Sequence, residues 1–127
     1  ATGAVTGTIT ATSWACISST VSLTLPTGIG SVMVVHHGAM RNDTLAAKTV
    51  VGYMVDGALN DTETTTKGMT TFMEAVTTDN QNTSFSNVVT GLTSAAHTFC
   101  LAGFVSAGTT TIDNTDSVAD FKVFMLP

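Results

Sequence analysis

Apolar and polar residues alternate along this chain in short runs of period two, the spacing of a strand whose successive side chains point to opposite faces. The clearest run sets Val21, Leu23 and Leu25 against Ser22 and Thr24. Residues 31–37, 50–55 and 120–126 are apolar on both faces apart from a few positions such as Lys122, the pattern of central strands covered on two sides. Residues 69–76 and 84–89 read as further strands. Turn signals separate these runs: Pro26-Thr27-Gly28, Asp56-Gly57, Gly91 and Ala107-Gly108. Residues 38–48 read as a polar connection with room for one helical turn at 44–48, and residues 58–68 and 77–82 as loops.

The stretch 91–112 organises the rest. A turn opens it, a long apolar strand follows, and after Gly108 a β-branched run is predicted to pair back as a hairpin. Within the strand, His97, Phe99, Leu101, Gly103 and Val105 share one face, and Thr98, Cys100, Ala102 and Phe104 the other. Neither face is charged, so burial is expected on both. The segments add up to an all-β chain, an antiparallel β-sandwich of about eight strands spaced as in sandwiches and barrels. Residues 1–127 form a single domain, with residues 1–12 as an extended N-terminal arm or a first edge strand.

Composition strengthens the β reading and narrows the partners. About one residue in five is threonine, a β-branched type suited to pleated, half-exposed surfaces. Only 10% of residues are charged, against roughly 25% in an average soluble domain, so Thr, Ser, Asn, Gly and Ala must build much of the surface. The net charge is -5, and Arg41, Lys48, Lys67 and Lys122 are the only Lys and Arg residues. Without a basic cluster, neither nucleic acid nor a membrane surface is expected as a partner. Cys16 and Cys100 leave open one bridge or two buried thiols, and the thiols are the expectation for a chain assembled in a reducing compartment. The start at Ala1 suits removal of an initiator methionine, and a trimmed leader would leave the same start; on the first reading a complete small gene product is expected.

Candidate chemistry is sparse. His36 and His37 are adjacent in a strand and point to opposite faces, so they are not expected to chelate one ion with His97, which is instead expected to bond the neighbouring turn. Trp14 is expected to fill one end of the core. Asp113, Asn114 and Asp116 could ligate calcium, but they lack the glycine and distal glutamate of a helix-loop-helix calcium loop and read as a turn. Asp61 and Glu63 read as solvated loop charges rather than a glycosidic pair. No nucleophile elbow or phosphate-binding glycine motif occurs. The expectation is no enzyme, no metal and no cofactor.

The order Gly91-Leu92, His97-Thr98-Phe99, an apolar strand and Val105-Ser106-Ala107-Gly108-Thr109 resembles the last third of jelly-roll structural proteins of tailed bacteriophages, the capsid decoration (cement) proteins and related fibre heads. Ser13-Trp14, Val21-Ser22-Leu23-Thr24-Leu25, Tyr53-Met54-Val55-Asp56-Gly57 and Phe121-Lys122-Val123-Phe124 fit the same pattern. The resemblance implies a jelly roll and a virion protein on the capsid surface: a homotrimer that binds the major capsid protein, stabilises the head and is assembled in the host cytoplasm. A receptor- or carbohydrate-binding head of a fibre or baseplate is the alternative. The sequence departs from the pattern at Cys100, Ala102 and Phe104, where outward positions tend to carry Lys or Gln. Thr98, Cys100, Ala102 and Phe104, with Phe124 of the last strand, are therefore the expected oligomer interface.

Overall fold

The computed structural model describes all residues except Thr6, 60–69, Val76, Thr78 and 114–118. Among the described residues there are twelve strands and no helix: β1 (Thr2–Ala4), β2 (Thr8–Ile9), β3 (Ala15–Cys16), β4 (Val21–Thr24), β5 (Ser31–Asn42), β6 (Lys48–Val55), β7 (Ala58–Leu59), β8 (Thr70–Met73), β9 (Gln81–Val89), β10 (Ala96–Val105), β11 (Thr110–Asp113) and β12 (Asp120–Leu126).

They form two antiparallel sheets in a sandwich-like arrangement. In the first sheet, β5 is the spine. Along one side it pairs with β9, and along the other with β12 over its first half and β11 over its second. β1 then pairs with β12, and β2 with β11. The second sheet repeats the plan: β10 pairs with β6 along one side and with β4, then β3, along the other, while β8 and β7 share the far side of β6. Two short strands laid end to end thus flank long ones in both sheets.

The alternation decides what lies between the sheets. Val32 and Val34 of β5, Phe121 and Val123 of β12, Phe99, Leu101 and Val105 of β10, and Val51 and Tyr53 of β6 meet there with Ile9, Ile17 and Leu25. Each large apolar side chain buried in this layer contributes about 1.5–3 kcal/mol. Asp56 and Gly57 both have positive φ (52° and 79°) and join β6 to β7 as a two-residue hairpin turn, which suits an Asp-Gly pair.

Three expectations need correction. β5 continues to Asn42, through residues expected as a loop, because Gly38, Ala39, Met40 and Asn42 are buried and find partners in β9 and β11. β11 does not pair back on β10. It crosses to the first sheet and pairs with β5 and β2, which buries Thr110 and Ile112. Residues 43–46 form turns rather than a helical turn, with Ala46 at φ 60°. Of the two forms expected for the first residues, an arm or a first edge strand, the second is found: they lie in the edge strands β1 and β2. The loop expected at 58–68 falls largely outside the described residues.

Candidate functional site

The second face of β10 is where the sequence predicted a self-contact, and the chain itself covers much of it. Because Phe99, Leu101 and Val105 face the core, Thr98, Cys100, Ala102 and Phe104 face outward. Yet Cys100, Ala102 and Phe104 are 3%, 0% and 6% exposed. Cys100 is bonded to Cys16 of the neighbouring β3, with Cα atoms 5.7 Å apart, which corrects the expectation of two free thiols. The Phe104 ring meets Trp14 edge to face, centroids 5.0 Å apart, an arrangement the ring quadrupoles favour. Trp14 is thus half-buried against the outward side of β10 instead of in the core. Its Nε1–H is buried without an acceptor among the described residues.

The Met54 sulfur lies 4.0 Å from Cys16 Sγ. Cys16, Met54, Thr98 and Cys100 line a shallow cavity of about 110 Å³ beside the disulfide. Of the four predicted residues on this face, only Thr98 is exposed.

Phe124 lies on the other sheet and is not brought together with those four. It projects from the outward face of β12 and is 44% exposed. Met33 stands opposite it on β5, and Val88 opposite Met33 on β9. Val88 is 49% exposed, so the three form an apolar row across three strands. Alternation alone could have put each of the three on one face of its strand, but bringing them into a row needed the strand order.

The three histidines take three different environments. His36 is buried against Phe85 and donates from Nδ1 to the Asp120 carbonyl at 2.7 Å, while the Thr83 hydroxyl donates to its Nε2 at 2.9 Å. Burial pushes its pKa down and keeps the ring neutral. His37, on the opposite face, is exposed and reaches Asp120 Oδ1 at 2.8 Å; Lys122 Nζ reaches Oδ2 at 2.9 Å. Burial works against the Asp120 carboxylate, but the hydrogen bonds from Lys122 and His37 outweigh it and lower its pKa.

His97 bonds the backbone of the preceding turn, as expected, through Nε2 to the Thr93 carbonyl at 2.9 Å. Its second partner was not foreseen: Nδ1 faces Asp56 Oδ2 at 2.7 Å. The other oxygen of Asp56 accepts the Thr98 N–H at 2.8 Å. Both ring nitrogens of His97 therefore face acceptors, and the Asp56 hydrogen bond raises its pKa.

A buried polar network closes one end of the molecule. Asn42 donates from Nδ2 to the Ala107 carbonyl and Thr110 Oγ1, its N–H donates to Glu74 Oε2 at 2.6 Å, and its Oδ1 accepts from the Thr44 N–H. Gly108 has φ 66° and turns over this network so closely that a Cβ would collide with Asp43 Oδ1, Thr44 Oγ1 and Asn42 Oδ1. These bonds satisfy polar groups that would otherwise be costly to bury.

Among the described residues, no group of three or more His, Cys, Asp or Glu side chains is placed to hold a metal ion. Of the loop considered for calcium, Asn114 and Asp116 lie outside the described residues, as do Asp61 and Glu63; Asp113 accepts from Asn80 Nδ2 at 2.9 Å. Neither a protein-family model nor a curated protein sequence matches the chain.

Proposed function

We propose that the chain is a non-enzymatic structural protein of a tailed-phage particle, a capsid decoration protein that binds the outer surface of the head as a homotrimer beside the major capsid protein. The observation that carries the reading is the winding of the strands. Counting end-to-end strands as one column in chain order gives β1/β2, β3/β4, β5, β6, β7/β8, β9, β10 and β11/β12. The first sheet then runs 1-8-3-6 and the second 2-7-4-5, the order of a jelly roll with two interlocked Greek keys. That winding supports the resemblance of the late strands to phage jelly rolls.

The disulfide supports an exterior location, since such bonds persist in oxidising surroundings, including virion surfaces, and are rare in the cytosol. Assembly in the host cytoplasm leaves Cys16 and Cys100 to close after release. The low-charge Thr-rich surface suits a protein that adds buried area between coat subunits rather than one that turns over a substrate. With Cys100, Ala102 and Phe104 enclosed by their own chain, the threefold contact falls to the exposed row of Phe124, Met33 and Val88.

The test is to add the purified chain to phage heads that lack it and sediment them. Saturable binding at a fixed ratio to the coat protein, with heads that withstand higher temperature before releasing DNA, is the expected result. No binding to heads, together with binding to host-cell surfaces or glycans, contradicts it and favours the fibre-head alternative.

A further inference from the structure

The sheet edges of this molecule are unequal. Among the described residues, β1, β2, β3, β4, β7 and β8 form three of the four edges with strands of only two to four residues. Short edge strands are a common way to keep open backbone groups from recruiting another chain. β9 is the exception: it runs nine residues, Gln81–Val89, and contains no proline, glycine or charged residue. One side of it is bonded to β5 throughout. No other backbone hydrogen bond from residues 81–89 is found among the described residues. Its alternation is regular, with Thr83 and Phe85 buried and Asn82, Ser84, Ser86 and Val88 exposed, so its register is well specified.

We infer that β9 is a docking edge for a second copy of this chain, the two β9 strands pairing antiparallel about a twofold axis at Phe85. A row of open N–H and C=O groups is complementary to another strand in the same state, and an isologous contact asks nothing further of the molecule. With the axis at Phe85, Gln81 pairs with Val89, Asn82 with Val88, Thr83 with Asn87 and Ser84 with Ser86 of the second copy. All nine residues are used, for roughly nine interchain hydrogen bonds. No charge meets a like charge, which matters in a chain of net charge -5. The two Phe85 rings become a cross-strand aromatic pair. Because the other edges are short, the contact closes after two copies rather than growing into a fibre.

This contact differs in kind from a threefold one, which joins two unlike patches. On trimers it would link one trimer to the next, so the two can fail separately.

The test uses the full chain and two charge variants at exposed positions, Ser84→Lys/Ser86→Lys and Ser84→Glu/Ser86→Glu, with assembly mass read by light scattering. In the pairing above, each variant sets like charges opposite one another, and a mixture sets Lys opposite Glu. The wild type should form an even-numbered assembly whose mass halves in either variant and returns when the two are mixed at equal concentration, which also shows that both fold. A wild type that is monomeric, or whose mass neither variant changes, overturns the inference. A trimer unchanged in both variants does so while leaving the threefold reading intact; a dimer that falls to monomers supports the inference and removes the trimer.

Discussion

His36 and His97 respond to protons in opposite directions. His97 sits between the Asp56 carboxylate and the Thr93 carbonyl, so its charged form is favoured in the folded chain. It contributes stability that is fully present below the unfolded value of about 6.5 and lost as pH rises through the higher folded value. His36, buried and neutral, has a folded value below 6.5, so the unfolded chain takes up the proton first and stability falls as pH drops below about 6.5. The melting temperature should therefore decline on both sides of this region. His97→Gln should flatten the alkaline decline and leave the acid one in place; an alkaline decline unchanged in His97→Gln would show that the Asp56 pair does not titrate there. The opposite facing of His36 and His37 was legible from period two. The His97–Asp56 contact was not, because it spans 41 residues and depends on which strand lies beside β10.

At the scale of elements, β3 shows how little ladder holds some strands. Among the described residues its ladder with β10 is two residue pairs, at Ala15 and Cys16, continued by the Ile17 N–H to the Leu101 carbonyl at 2.7 Å, and the disulfide adds a covalent tie. Closing a loop between residues 84 apart in sequence is worth about 4–5 kcal/mol in the chain-entropy account, with about 2–5 kcal/mol usual for removal of a native bridge. The double variant Cys16→Ser/Cys100→Ser should lose about that much in urea unfolding, and its β1–β4 amides should exchange faster than those of β5 and β12. An unchanged midpoint would mean that Trp14 and Phe104 hold the region without the bond. The central strands were legible because two-sided apolar runs are unusual, and β5, β6, β10 and β12 all have neighbours on both sides. For β10, though, the same two-sided pattern predicts a contact beyond the chain's own core. Its outward apolar residues are met by Cys16 and Trp14 from a segment more than 80 residues away, and no periodicity encodes that meeting. β11 departs from the expected hairpin for a related reason. A short β-branched run after a turn looks the same whether it pairs back or crosses to the other sheet, and burial of Thr110 and Ile112 decides for crossing.

At the scale of the molecule, a sandwich-like fold, an outward disulfide, a surface poor in charge and an exposed apolar row together support one proposal, a structural protein on the outside of a particle. A shell component must be present in numbers set by the lattice, whereas a fibre or baseplate head is needed in a handful of copies. The most direct measurement is the copy number of this chain in purified particles from its source, by quantitative mass spectrometry against the major coat protein of those particles. A fixed ratio close to that of the coat protein is the expected result. A few copies per particle, or none, would contradict it.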